Sequence, residues 1–453
     1  MKILVFHGSA GNFGDTAMLE GVVLNLLRNF PSVELFVAHR PGLRTTVWER
    51  VQVRRQAIPW LTFPSESALA GKRYFWRHHQ WWWETTRKSY ALLLGRVVSA
   101  KTIRVTGVPE ANLADFCAKF DALHMVGGGY LTDTFPELLV EASCLALAFH
   151  EQGKPILLTG QQVGPFQSRP LRAHTRRILN CARFVGLREP NRSVELCQQL
   201  GLDPERFRVM GDDSFGLPRA DDREVRACLS NRGLEPGRFL ALNVRVGPYA
   251  AGHREYMGLI AQLADALSSA LCLPVVLVPI AFNDLDSDDR SGATLISLMK
   301  QAQASRIDSR DLTPALVRGL LGKAFGAIGV SYHFCTFALS QGIPAVSLHQ
   351  GDYYSQKASG ICGFWQDRRL AIPLPRCDIS SAAAHISSLF QDINWRKNMV
   401  HRAENAIHGW QTIFDEQVQN GFKPTHFTGS DVNEHACAGK TVQSAKYVQM
   451  TSR

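Results

Sequence analysis

Clustered cysteines are missing from this chain. Its ten, at 117, 144, 181, 197, 228, 272, 335, 362, 377 and 437, show no Cys-x-x-Cys spacing, and most lie in apolar stretches such as SCLALAF. A zinc site needs thiolates or imidazoles gathered together, so no metal is expected. Buried free thiols in a reducing compartment account for the pattern. Long apolar runs are missing too. The longest, residues 271–282, is broken by Pro274 and Pro279 and is too short to cross a bilayer. The opening MKILVF has one lysine and a handful of apolar residues before His7, which is not the pattern of a secretory signal. The expected location is cytoplasmic, either free or peripheral on the inner face of a membrane. Internal repeats and low-complexity tracts are absent as well.

Acidic residues are in short supply, 40 against 50 lysines and arginines, for a net charge of +10. The excess is concentrated in residues 40–88, where ten Lys/Arg face three Glu. Within it, KRYFWRHHQWWWETTRK at 72–88 combines cations with Trp81, Trp82 and Trp83. Such a patch suits phosphates, an acidic saccharide or an anionic membrane surface. Nucleic acid is not expected, because no helix-turn-helix, zinc-finger or RNP pattern accompanies the charge.

What the chain does have is a regular alternation of short apolar strands and amphipathic helices. Strands are expected at 3–6, 34–37, 122–126, 156–159, 184–187 and 207–210, and again at 239–244, 275–280, 327–330 and 345–348. This rhythm implies α/β architecture with parallel sheets covered on both faces. A chain of 453 residues exceeds what one core usually supports. The pattern also resets in the Gly-, Pro- and charge-rich stretch 211–238. The expected organisation is a Rossmann-like domain over 1–210, a linker over 211–238, a second Rossmann-like domain over 239–424 and a disordered polar tail over 425–453. Two doubly wound domains facing a cleft make a GT-B-like fold, whose chemistry belongs at the loops after the strands.

Those loops carry the unusual residues. HGSAGNFGDTAM follows the first strand, with Gly8, Gly11 and Gly14 free to approach a ligand closely and Asp15 placed to cap the next helix or to act as a base. The glycine spacing is not that of a dinucleotide fingerprint. Gly127-Gly128-Gly129 and the TGQQVGPF segment follow the third and fourth strands and are read as loops lining the same cleft. Arg188 ends a strand and Ser193 opens a helix, so each is a candidate partner for a phosphate or carboxylate or a structural group. Arg245 stands in the same ambiguous position in the second half. His333 sits between a strand and a helix, with Lys357 expected in a loop after the following strand, a placement suited to proton transfer and anion binding.

In this order the segments resemble the polysaccharide pyruvyl transferase family. The likeness rests on Gly11-Asn12-Phe13-Gly14-Asp15, Gly127-Gly128-Gly129, Gly160-Gln161-Gln162-Val163-Gly164-Pro165, and Arg188 with Ser193. It closes on His333, Ala338-Leu339-Ser340-Gln341-Gly342-Ile343-Pro344 and Tyr354-Ser355-Gln356-Lys357. Two residues before the histidine, where the family usually has Arg, this chain has Ser331. The resemblance implies a transferase that takes phosphoenolpyruvate as co-substrate, needs no other cofactor, and forms a pyruvate ketal on a hexose of a free or lipid-linked saccharide. It assigns His333 as general acid and Asp15 as candidate base. Asn12, Gly14, Gly128, Gly129, Gln161, Arg188, Ser193, Arg245, Tyr332 and Lys357 are its expected substrate-binding residues. The acceptor would lie mostly on the first domain and the donor on the second. The alternatives are a GT-B glycosyltransferase using a nucleotide sugar, and a non-catalytic binder of acidic glycans.

Overall fold

The computed structural model describes residues 1–7, 11–39, 60–62, 113–245, 253–283, 286–374 and 377–422. The basic-aromatic segment 72–88 and the tail 425–453 lie outside the described residues. Alternation of side chains along the first strand, β1 (Lys2–Phe6), shows how the fold is layered. Ile3 and Val5 enter one core and Leu4 and Phe6 another, on opposite faces of the same sheet. From Ile3 to Phe6 the strand is apolar because both its faces are covered.

Around β1 the strands β2 (Glu34–His39), β3 (Trp60–Thr62), β4 (Ala122–Met125), β5 (Gly128–Leu131), β6 (Ile156–Val163), β7 (Phe184–Leu187) and β8 (Phe207–Val209) complete an eight-stranded sheet. Its order is β3-β2-β1-β4-β6-β7-β8, with β5 beside β6 and every pairing parallel. A second parallel sheet follows, in the order β13-β10-β9-β14-β15-β16. It comprises β9 (Leu240–Asn243), β10 (Val275–Leu277), β13 (Ala304–Arg306), β14 (Gly326–Gly329), β15 (Ala345–His349) and β16 (Ala371–Pro373). Between β10 and β13 lies a small antiparallel pair, β11 (Phe282–Asn283) and β12 (Asp286–Ser287). Strand order reverses beside β1 in one sheet and beside β9 in the other, so crevices open beyond their carboxyl ends.

Three helices tie the halves together. α1 (Phe13–Asn29) covers the first sheet and packs against the turn Asp213–Gly216 so closely that a Cβ on Gly21 would strike the Asp213 carbonyl. α5 (Gly351–Trp365) follows β15 and docks on residues 189–191, where Asn191 Nδ2 donates to the Ser359 carbonyl at 3.0 Å. α6 (Ile393–Gly421) leaves the second sheet and lays Trp410, Phe414 and Val418 against the first. Helix α2 (Arg192–Gln199) follows β7, α3 (Asp288–Leu298) follows β12 and α4 (Tyr332–Leu339) follows β14.

Four expectations about individual elements need correction. The triple glycine does not form a loop throughout, because Gly128–Leu131 pairs with the end of β6 as a strand. For the same reason β6 continues through Val163, and Gln161 and Gln162 are strand residues rather than loop residues. The 211–238 stretch holds a 3-10 turn at Asp213–Gly216 and a helix at Asp222–Ser230, both packed, because Phe215, Val225 and Leu229 supply an apolar face. Lys357 belongs to α5, not to a loop, since Gly351, at φ 71°, turns the chain straight from β15 into the helix.

Candidate functional site

The site starts at the end of β1. Asn12, not Asp15, is the N-cap of α1: its Oδ1 accepts from the Asp15 N–H at 2.8 Å. Its Nδ2 donates back to the Asp15 carboxylate. The helix begins three residues earlier than expected because the extended backbone of Asn12 is held from outside. Phe13 N–H donates to the Ile280 carbonyl at 2.9 Å and Phe282 N–H to the Gly11 carbonyl at 3.1 Å. The first loop of the first sheet is thereby clipped to the loop after β10 of the second. That loop is itself held by Asp288 of α3, whose Oδ2 accepts from Ile280 N–H, Ala281 N–H and Asn243 Nδ2. Burial pushes the Asp288 carboxyl up to about 6, against the opposing charge of Arg245.

His333, in the first turn of α4 after β14, lies over this junction. Its ring rests directly on Gly14: a Cβ there would land on the imidazole. Gly14 is therefore a space requirement, met by the one residue without a side chain. On the other side, His333 Nε2 lies 3.7 Å from Asp212 Oδ2, and that carboxylate lies 4.0 Å from Arg188 Nη1. Asp212 and Arg188 are 0 % and 2 % exposed, so this is a dry cluster of charge. Burial lowers the pKa of His333; Asp212 and Asp15 raise it, and Arg188 and Lys357 add to the lowering.

Arg188 is positioned by several contacts. Its Nη2 donates to Gln162 Oε1, and its guanidinium lies 4.1 Å from the centre of the Tyr332 ring. Gly129 leaves room for that guanidinium, since a Cβ would come within 3.4 Å of Nη2. Lys357 is half-buried, donates to Tyr353 Oη at 2.6 Å, and is lowered in pKa chiefly by burial, with Arg188 and Arg245 contributing. Arg188 from the first sheet thus shares one field with Arg245 and Lys357 from the second. Two carboxylates, Asp15 and Asp212, adjoin the same histidine.

Other expected site residues have visible structural work. Gln161 is fully buried, and its amide donates to the carbonyls of Met125, Val126 and Thr159. Ser193 accepts from Val163 N–H at 3.0 Å and donates to Glu189, whose carboxylate also receives Ser193 N–H. It fastens α2 to β6. Gly128 adopts φ 149° at the start of β5. Gly127 N–H, Thr159 Oγ1 and Trp410 Nε1 all donate to Asp213. Sequence reasoning missed Asp212 and Gln162. The signal for the first was present, two adjacent aspartates at a strand's carboxyl end, but it lay in a stretch read as linker.

The fold places the molecule in a class. A UDP-GlcNAc 2-epimerase from Neisseria meningitidis bound to UDP-GlcNAc superposes with a TM-score of 0.53 at 12 % identity, covering 93 % of this chain and 100 % of that one. Anabaena Alr3699/HepE in complex with UDP and glucose gives 0.51 at 12 % identity, over 92 % and 98 % of the two chains. The calicheamicin glycosyltransferase CalG4 gives 0.54 at 10 % identity, over 94 % and 99 %. The chain therefore has the GT-B fold of glycosyltransferases and epimerases. Residues 12–349 match the family described as polysaccharide pyruvyl transferase, and the chain belongs to that family. No curated protein matches it.

Proposed function

We propose that this transferase uses phosphoenolpyruvate to build a pyruvate ketal on a saccharide. The observation that carries the reading is His333 seated between Gly14 and Asp212, in the field of Arg188, Arg245 and Lys357. A donor with a phosphate and a carboxylate needs cations for both. Addition across its enol needs a proton at the methylene carbon. In the first step a sugar hydroxyl bonds to C2, its proton passes to a base, and His333 delivers a proton to C3, which becomes the methyl group. In the second, another hydroxyl of the same sugar bonds to C2, the C–O bond to phosphate breaks, and the hydroxyl proton leaves with the phosphate. The products are the ketal and inorganic phosphate. Asp15, held by Asn12 beside the ring, is the proposed base.

The competing donor is a nucleotide sugar, since two of the structural neighbours were captured with UDP or UDP-GlcNAc. An assay with a panel of free and lipid-linked saccharides separates the two. Phosphate release from phosphoenolpyruvate is expected with the right acceptor. His333→Gln should keep donor binding and lose roughly two to four orders of magnitude in rate. Lys357→Ala should raise KM for phosphoenolpyruvate with a smaller loss in kcat. Activity with a UDP-sugar and none with phosphoenolpyruvate refutes the assignment.

A further inference from the structure

Asp212 is fully buried, and its charge also supports the buried Arg318 guanidinium that holds the turn after it. Its Oδ1 caps the turn Asp213–Gly216 by accepting from Ser214 N–H at 3.0 Å, but Oδ2 is sealed from solvent and hydrogen-bonded to nothing. An ionised carboxylate with an unused oxygen is costly in a dry interior. That oxygen faces two groups: His333 Nε2 at 3.7 Å, itself sealed and without a partner, and Arg188 Nη1 at 4.0 Å. The Cγ–Nδ1 edge of the imidazole lies along Gly14 at the first turn of α1, and of the two ring nitrogens Nε2 is the one sealed without a partner. We propose that Asp212 is a positioning residue that keeps a proton on His333 Nε2, leaving Nδ1 as the atom that exchanges protons with substrate. This rests on the reading of His333 as the proton-transferring group.

The consequence follows from the ring's two nitrogens. When His333 is doubly protonated, the carboxylate on the Nε2 side supports the imidazolium, and Nδ1 gives up its proton. The neutral ring that remains is the Nε2–H tautomer, still facing Asp212. The charged groups acting on the ring are Asp212 after β8, Asp15 on α1, Arg188 after β7 and Lys357 on α5. The two cations disfavour the protonated ring, so the carboxylates must offset them, and Asp212 acts more strongly than Asp15.

Asp212→Asn tests this. Asn retains an oxygen for Ser214 N–H, so its NH₂ would face Nε2 and donate to it, forcing the neutral ring into the Nδ1–H form. Histidine-selective ¹⁵N labelling of the full chain, with the His333 signal assigned by its loss in His333→Gln, reads the tautomer directly. The wild type is expected to show Nε2–H and the variant Nδ1–H. In the saccharide assay the variant should lose roughly 10²- to 10⁴-fold in kcat with KM changed little. The alkaline fall of its rate should also move to lower pH, since a carboxylate that raises the ring's pKa is gone. A wild-type spectrum showing Nδ1–H overturns the proposal, even if the variant does not fold. So does a folded variant that keeps the wild-type tautomer and pH profile. Because the tautomer is read without donor or acceptor, it stands or falls separately from the choice of phosphoenolpyruvate.

Discussion

At Gly14, local preference and tertiary demand pull in opposite directions. The residue lies in the first turn of α1, where alanine would be the better helix former by about 1 kcal/mol. Its missing Cβ is the space that the His333 ring occupies. Gly14→Ala should therefore leave the chain folded while pushing the ring off its seat between α1 and Asp212. Since the methyl would also lie 2.5 Å from the His333 Cβ, the expected result is a far-UV circular dichroism spectrum close to wild type, a lowered thermal midpoint, and transferase activity down roughly 10²-fold or more, the loss expected from an ångström of misplacement. Unchanged activity would mean the ring's position against α1 does not matter to the chemistry. Arg188 shows the same dependence on distant residues: Gln162, Tyr332 and Gly129 together set where its charge points.

At the scale of elements, α6 is one of the three helices that tie the second sheet's chain to the first. Trp410 stacks on Phe414 with centroids 4.7 Å apart, and Phe414 lies 5.7 Å from His124 of β4. His124 is fully buried, within hydrogen-bond distance of Thr159 Oγ1 at 2.9 Å, and Thr159 in turn donates to Asp213 at 2.7 Å. Burial drives the His124 imidazole down to about 3 and the Asp213 carboxyl up to about 7. The unfolded histidine takes a proton near pH 6.5, whereas the folded one does so only near 3. Its contribution is thus complete above 6.5 and is lost as pH falls towards 3. Asp213 runs the other way, with its contribution complete below 3.8 and lost as pH rises to about 7. The two slopes oppose each other between about pH 4 and 6.5. His124→Gln, which keeps a donor for Thr159, should unmask the Asp213 slope. Relative to wild type, the variant's stability should improve by up to about 1.4 kcal/mol for each pH unit lowered across that window. Urea unfolding at pH 4.5, 5.5 and 6.5 measures it. A constant difference between variant and wild type would show that His124 is not buried as the neutral ring.

Over the whole molecule, charge is distributed unevenly. The cleft gathers Arg188, Arg245 and Lys357, suited to an anionic donor. The segment 72–88, with five Lys/Arg, two histidines and three consecutive tryptophans, is suited by composition to a lipid headgroup region. Among the described residues no helix is long and apolar enough to cross a membrane. Flotation with vesicles containing anionic lipid should carry the protein upward at low salt. The fraction bound should fall as salt rises, and a Trp81→Ala/Trp82→Ala variant should bind more weakly. Equal recovery with neutral and anionic vesicles would remove the membrane from the account.

Composition and periodicity by themselves determined the α/β class, the parallel strands and the strand-end positions of Arg188, His333 and Arg245. A strand covered on both faces must be apolar, and the residue that follows it must leave the sheet. The family, too, was legible, because GNFGD, the glycine triplet and the HFC…KASG region are local strings. Tertiary structure alone decided which of these residues meet. Asp212 was passed over because Asp-Asp in a Gly-rich stretch reads as solvated until a histidine from the other sheet is placed 3.7 Å away. Gln161 and Ser193 resemble ligand-facing groups until the backbone atoms they hold are visible. A carboxylate's role depends on what is within a few ångströms of it, and in this fold those neighbours come from strands that the chain reaches more than a hundred residues later.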